Sequence, residues 1–371
     1  MGLLNELVRC EEALLGEKED DHQGRSELKK YIIQNNIYGV DIEKGAIDIA
    51  RLRFWLSIIV DEKEPSPLPN LDYKIMQGNS LLESYQGVDL SHLLTEEGIG
   101  DEMLGGLFGN QDVIQDTREE LATSLEAYFN CSDHEEKLRI QEDIRTVIKA
   151  QLSARNLDVD FGDIDIAANQ EFFLWHTWFS DVFNRPSDCE KGFDIVIGNP
   201  PYGAKLSAHE KRQYKQLFPE LQFKINTYAC FVLHAFTLMH NTGYACFILP
   251  NTLLDNYFED RLRKMILDNS LFELNDLSDR VFENAVVHSM IIRYGRGIRS
   301  EKVMVNISDT LSDEHFYIPT SFFLSQPNYT FDLRSYGNDV ILTKLKINSE
   351  KLADILDIRQ AIKTGDDNTY I

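Results

Sequence analysis

Several things are scarce in this chain. No apolar run approaches the roughly 20 residues that a membrane-spanning helix requires, and the start Met1-Gly2-Leu3-Leu4-Asn5-Glu6 lacks the basic end of a signal peptide. Both absences point to a protein with no membrane partner, expected in the cytoplasm. Only five cysteines occur, at 10, 131, 189, 230 and 246. An odd number without a Cys-x-x-Cys pair argues for buried free thiols rather than a disulfide frame or a zinc site. Nine histidines include no His-Glu-x-x-His, so a metalloprotease site is unsupported and no metal is expected. Basic residues are also short: 37 against 61 acidic ones leave a net charge of -24, a balance that repels polyanions. The shortage is uneven. Residues 1–192 hold 18 basic and 39 acidic residues (net -21), whereas 193–371 hold 19 and 22 (net -3). A polyanion should therefore meet the second half.

What is present is globular composition, 43% apolar over 371 residues, enough for about two domains. Short β-branched runs end in turn residues, and several lead into helical patterns. Ile37-Tyr38-Gly39-Val40-Asp41-Ile42 precedes a helical spacing from Glu43 to Val60, and Tyr73-Lys74-Ile75-Met76-Gln77 ends at Gly78-Asn79-Ser80. Phe193-Asp194-Ile195-Val196-Ile197 reads as a strand covered on both faces and ends at Gly198-Asn199-Pro200-Pro201-Tyr202-Gly203. Asn226 to His240 reads as a buried helix capped by Gly243, followed by strand Tyr244 to Pro250; Leu271 to Leu277 and His288 to Tyr294 are further strand candidates. Strands alternating with helices predict an α/β fold with a doubly wound, mostly parallel, Rossmann-like sheet. Two regions break the rhythm. Residues 84–191 are acidic and carry one helical stretch, about Val113 to Leu152, expected as an insertion packed on the sheet. Residues 301–371, with strand-like pieces at 303–307 and 316–318 and a helix at 337–347, read as a linker into another module after a domain spanning 1–300.

In parallel α/β sheets ligands bind beyond the carboxyl ends of the strands. Those ends offer Asp41, Asn79 and Asn199-Pro200-Pro201-Tyr202. A carboxylate such as Asp41 can accept both hydroxyls of a ribose, and equally can cap the following helix. Asn79 can meet an adenine edge or simply make a turn. The proline pair is more specific. It freezes the backbone and removes two donors, so that the Pro200 and Asn199 carbonyls can jointly accept from one exocyclic amino group, with Tyr202 as a stacking face. Two acceptors drawing on an aromatic amine free its lone pair for attack.

At this point the chain resembles the N6-adenine DNA methyltransferases, in particular the Eco57I-type modification domains of type II restriction-modification enzymes, over roughly residues 30–300. The resemblance implies S-adenosylmethionine as cofactor and double-stranded DNA as partner, with a nuclease or recognition domain in the intact polypeptide. It places Asp41 and Ile42 at the cofactor's ribose and Asn79 and Ser80 at its adenine. Asn199, Pro200, Pro201 and Tyr202 become the catalytic motif, with Asn at its head favouring adenine. Phe282, in Val281-Phe282-Glu283-Asn284-Ala285, packs near a flipped base. Candidate phosphate contacts are Lys205, Lys211, Arg212, Lys215, Lys224, Arg293, Arg296 and Arg299, for which a solvated charged surface is an equal reading. Ile358 to Asn368 resembles the entry to a target-recognition domain. The family's glycine-rich cofactor loop has no counterpart in residues 1–40. The sheet is therefore expected to lack its first strand, leaving unpaired edges, and this chain alone is expected to bind cofactor weakly or not at all.

Two rivals stand beside this reading. One is a methyltransferase of another planar amine or amide, the release-factor glutamine or ribosomal RNA guanine enzymes, which also carry Asn-Pro-Pro-aromatic. The other is an inactive DNA-binding remnant. C5-cytosine chemistry lacks a correctly spaced Pro-Cys, since Pro186-Ser187-Asp188-Cys189 does not match, and Asp72-Tyr73-Lys74 is the only hint of a nuclease element.

Overall fold

Helical periodicity builds most of the first half. The computed structural model describes residues 1–15, 22–62, 71–94, 111–131, 133–187, 190–221, 225–277, 288–308 and 315–337, with 344, 347, 349–350 and 355–356. Cys189, Lys224, Val281 to Ala285 with Phe282, most of the helix expected at 337–347, and Ile358 to Asn368 lie outside them. Two units are distinguished, Met1–Asp194 with Thr237–Asn241, and Ile195–Phe236 with Thr242–Ile371.

The first unit runs α1 (Gly2–Leu15), α2 (His22–Asn35), β1 (Gly39–Asp41), α3 (Lys44–Ile59), β2 (Ile75–Gln77), the small hairpin β3 (Ser84–Tyr85) and β4 (Val88–Asp89), α4 (Gln111–Asn130), α5 (His134–Ala154), and the short helices α6 (Trp175–Trp178) and α7 (Ser180–Phe183). On α3, Ile47, Phe54 and Ile58 fall on one face and join Leu4, Val8, Ile32, Ile33, Ile37, Leu71 and Ile75 in one apolar cluster. Each such side chain contributes about 1.5–3 kcal/mol on burial. Arg51 of α3 ties the helix to β2 by donating to the Ile75 and Asp72 carbonyls at 2.6–3.1 Å. The single helix expected over 113–152 is two helices packed on each other. The break follows from a local cap: the Asp133 carboxylate accepts from Glu136 N at 2.9 Å and restarts the helix.

The nuclease hint dissolves here into internal ion pairs. Asp72 pairs with Lys137 at 2.6 Å and Arg51 at 3.1 Å. Lys74 lies 3.1 Å from Asp181 and over the Tyr38 ring, and Tyr38 donates to the same carboxylate. Burial pulls the Lys74 amine below its ordinary range and pushes the Tyr38 phenol up.

The second unit is built on a six-stranded sheet of β5 (Phe193–Gly198), β6 (Met239–Pro250), β7 (Leu271–Leu277), β8 (Ser289–Gly295), β9 (Lys302–Ser308) and β10 (Phe316–Pro319), with α8 (Ala208–Leu217), α9 (Thr227–Leu238), α10 (Asp260–Asn269) and α11 (Thr320–Ser325). Its order is β10-β9-β7-β8-β6-β5. A Cβ on Gly192 would meet Met239 and His240, and one on Gly198 would meet Phe247, so β5 and β6 advance together. β8 is antiparallel to both β6 and β7, β9 is parallel to β7, and β10 is antiparallel to β9. Strands β5, β6, β7 and β9 thus share one direction, the mostly parallel α/β sheet expected, with β8 inserted in reverse between β6 and β7. Arg263 of α10, fully buried, donates to the Leu253, Asn256, Asn328 and Tyr329 carbonyls at 2.8–3.2 Å and pins the chain after β6 to the segment after α11.

Four details depart from expectation. β6 starts at Met239, so Gly243 lies inside the strand, its carbonyl accepting from Arg296 N at 3.1 Å rather than ending a helix. β5 is not covered on both faces: Ile195 and Ile197 are 51% and 54% exposed. Ile195 and Ile197, two residues apart, share one uncovered face, and among the described residues β5 pairs only β6 and β1 only β2. β9 and β10, expected beyond a boundary near residue 300, are hydrogen-bonded into this same sheet. Of four described cysteines, all free thiols, Cys230 is buried whereas Cys10 is exposed. No described helix is long and apolar enough to cross a membrane.

Candidate active site

In the first unit the candidate cofactor residues stand together at the carboxyl ends of two parallel strands. Register pairs Asp41 with Gln77, and Gly78 N donates to the Asp41 carbonyl at 3.0 Å, which sets Asp41-Ile42 beside Gly78-Asn79-Ser80. The Asp41 side chain is exposed, with Oδ1 accepting from Glu43 N at 2.8 Å. It therefore shapes the entry to α3, whose N-cap is Glu43 rather than Asp41, and leaves a carboxylate exposed at the strand end. Asn79 Oδ1 accepts from Leu81 N at 3.2 Å, an Asx turn. The exposed carboxylate and the half-exposed amide, adjacent on one edge, fit the donors and acceptors of a nucleoside.

What sequence reasoning missed is the support of this edge. Residues 168–176, inside the stretch read only as an acidic insertion, run along it as a strap. Ala168 bridges Gln77, and the Gln170 amide donates to Ile42 O at 3.3 Å. Phe172 O accepts from Asn79 N at 3.3 Å, and Phe173 N donates to Leu82 O at 2.8 Å. Trp175 Nε1 donates to Ser80 O at 3.0 Å. A Cβ on Gly78 would fall 2.6 Å from the Phe173 ring, so only glycine permits this approach. The polar motif Asn169-Gln170 followed by the aromatic cluster Phe172-Phe173-Leu174-Trp175 was the available signal.

In the second unit Asn199 follows β5 directly and is exposed, Pro200 is buried and Pro201 exposed. Tyr202 is half-buried. Its hydroxyl is sealed from solvent and faces Ser289, the first residue of β8, which pairs with Pro250 at the carboxyl end of β6. Burial raises this phenol's pKa, with Ser289 opposing. Nearby on that end, Asn251 N donates to His288 O at 2.9 Å and the Asn251 side chain hydrogen-bonds Asp276, whose carboxyl is raised by burial. Buried Glu259 accepts from Asn226 Nδ2 at 2.6 Å and from the Tyr228 hydroxyl, holding the start of α9. Asn251 and Asp276 were legible in principle by the same strand-end rule that singled out Asn199; Asn226, Tyr228 and Glu259, at helix starts, were not.

The cationic candidates separate. Lys205, Lys211, Arg212 and Lys215 are exposed on and before α8, whose start is a capping box between Ser207 and Glu210. Arg293, Arg296 and Arg299 do not join them. Register places Gly295 against Tyr244, the far end of β6 from Pro250, and the seven residues from Ser289 to Gly295 span roughly 20 Å of strand. Arg293 is paired with Glu273 at 2.9 Å, and Arg296 donates to Phe236 O at 3.1 Å.

The family model described as Eco57I restriction-modification methylase matches residues 35–282. A protein of Methanocaldococcus jannaschii named "Putative type II restriction enzyme and methyltransferase" is 28% identical over 89% of this chain and 32% of its own length. The type II restriction enzyme and methyltransferase RM.Eco57I of Escherichia coli is 24% identical over 52% of this chain and 21% of its own. The chain thus spans about a third or less of the length of these relatives. Among solved structures, the type IIG restriction endonuclease BpuSI aligns with 88% of this chain and 34% of its own at 12% identity and a TM-score of 0.38. With a matched segment that takes in β1, the Gly78-Asn79-Ser80 loop and the Asn199-Pro200-Pro201-Tyr202 motif, the chain belongs to the Eco57I restriction-modification methylase family.

Proposed function

We propose that this chain is the modification part of a restriction-modification enzyme, a methyltransferase acting on the N6 amino group of adenine in double-stranded DNA, in the cytoplasm, with S-adenosylmethionine as methyl donor. The observation that carries the reading is the Asn199-Pro200-Pro201-Tyr202 motif standing at the end of β5, its asparagine exposed and its tyrosine hydroxyl buried toward Ser289. S-adenosylmethionine supplies, when bound, a methyl carbon made electrophilic by its sulfonium.

The chain's own residues do the rest. The Asn199 and Pro200 carbonyls accept the two amino hydrogens of an adenine extruded from the duplex, which draws the nitrogen toward a tetrahedral shape and frees its lone pair. With the cofactor held by the Asp41–Ser80 edge, its methyl carbon would take up this lone pair as the carbon–sulfur bond broke, and the amine would shed one proton to solvent. Tyr202, its hydroxyl buried on the Ser289 side, offers a ring for stacking, and Phe282 holds the flipped base with it. Asp41 and Ile42 hold the ribose of the cofactor, Asn79 and Ser80 its adenine. Lys205, Lys211, Arg212, Lys215 and Lys224 meet DNA phosphates, against the less acidic half of the chain. A nuclease or recognition domain in the intact polypeptide completes this reading.

The test is transfer of labelled methyl from S-adenosylmethionine to duplex DNA by the protein with its full coding sequence. Label recovered as N6-methyladenine, and lost on Asn199→Ala, is the expected result. Label in cytosine, release factor or ribosomal RNA instead would overturn it.

A further inference from the structure

Behind the Asp41–Ser80 edge sits an ion pair that the proposed chemistry does not use. Glu83 closes the loop that begins at Gly78, and both of its oxygens are engaged by one residue of the strap: Oε1 accepts from His176 N at 2.8 Å and Oε2 lies 2.7 Å from His176 Nδ1. The carboxylate side chain is only 9% exposed, the imidazole 28%. The same bond caps α6, whose backbone N–H of His176 has no earlier helical partner. On its far side the imidazole rests against the Phe183 ring, centroids 4.3 Å apart. Next to this pair, the Trp175 indole reaches Ser80 O and Phe173 N reaches Leu82 O, so any movement of His176 is passed to the two carbonyls flanking Leu81.

We propose that Glu83 and His176 are positioning residues whose ion pair latches the strap 168–176 onto the loop 78–83 and so holds the candidate cofactor edge in one conformation, most firmly when His176 is protonated. The geometry supplies the reason. A buried carboxylate needs strong donors, and the imidazolium gives a charge-assisted one where the neutral ring gives a weaker bond.

Direction of pH follows. Burial depresses the imidazole, but the hydrogen bond and charge of Glu83 outweigh it and leave His176 above its ordinary 6.5. A group raised on folding contributes fully below its ordinary value and loses that contribution as pH rises through the raised one. Glu83 is raised by burial against the pull of His176 and sets the other limit: the latch needs this carboxyl ionised, so it is also lost once acid protonates Glu83. Asp89 of β4 acts on both groups and favours the protonated histidine; Asp89 in turn lies 3.8 Å from His92.

Amide hydrogen exchange of the full chain, corrected for intrinsic rates, reads the latch without any cofactor. At about pH 6 peptides covering 78–84 should be protected about tenfold more than at about pH 9, while peptides of α3 stay unchanged. His176→Asn, which keeps a neutral donor at the Nδ1 position, should protect equally at both pH values. His176→Phe and Glu83→Gln should lose protection at both. A loop whose exchange ignores pH, or a His176→Phe protein as protected as the wild type at low pH, overturns the proposal; so does a His176→Asn protein as open as His176→Phe. The proposal rests on reading this edge as the cofactor side. That reading is checked by adding millimolar S-adenosylmethionine to the protein with its full coding sequence: no added protection of the same peptides at either pH defeats the cofactor assignment alone, because the latch is read without ligand.

Discussion

Gly198 is the last residue of β5 and the residue before Asn199, so adding one methyl group there tests how tightly the proposed catalytic motif is held. A Cβ at this position would lie 2.6 Å from Phe247 Cε1 and 3.0 Å from Cδ1. The ring has little room to retreat: Phe247 is 3% exposed, sits in β6 with β8 alongside, and stacks near Tyr294 at 6.3 Å between centroids. Overpacking of this kind costs about 1–3 kcal/mol, so Gly198→Ala should lower the urea midpoint of the second unit accordingly. If the strain is relieved instead by shifting the end of β5, Asn199 moves with it, and a displacement of about 1 Å at a reacting group costs around 100-fold in rate. Urea unfolding followed by fluorescence, together with methyl transfer to duplex DNA, separates the two routes. Combining Gly198→Ala with Phe247→Leu removes the colliding ring atoms and should recover most of whichever loss is seen. An unaltered midpoint and rate in Gly198→Ala, or a double variant no better than the sum of its parts, would refute the reasoning.

Other outcomes follow from the same structure. Asn199→Ala should reduce methyl transfer by about 100-fold or more, as expected when one of two polarising acceptors is removed, with cofactor affinity unchanged in an equilibrium binding assay. Arg263→Leu leaves four carbonyls without their donor and should destabilise the second unit by about 3 kcal/mol or more, read as a shift in urea midpoint. Gly192 has φ +111° and a Cβ there would meet the Leu238–His240 backbone at 2.6–2.8 Å, so Gly192→Ala should reduce soluble yield sharply, because neither the dihedral nor backbone atoms can yield. Calorimetry of the 371-residue chain should give S-adenosylmethionine binding weaker than micromolar, since residues 1–40 hold no glycine-rich loop; micromolar affinity would show that the edge at Asp41 and Asn79 suffices.

The local pattern of this sequence determined a good deal: the alternation of β-branched runs with helical spacing gave the α/β class, and the turn residues closing those runs marked Asp41, Asn79 and Asn199-Pro200-Pro201-Tyr202 as strand-end positions. Those features depend on neighbours a few residues apart, which is why they are legible in one dimension. Tertiary structure alone decided that β5 is an end strand with Ile195 and Ile197 exposed, that β9 and β10 belong to the sheet, that Gly243 serves a strand, and that Arg293 and its neighbours lie at the other end of β8 from the Asn199-Pro200-Pro201-Tyr202 motif. Pairing partners and register are long-range choices, and an apolar run reads alike whether one or two strands flank it. The same holds for the strap at 168–176 and the Glu83–His176 pair, separated by 93 residues in sequence: composition marked that stretch only as acidic, and only the folded chain brings its carbonyls, its indole and its imidazole against the loop they support.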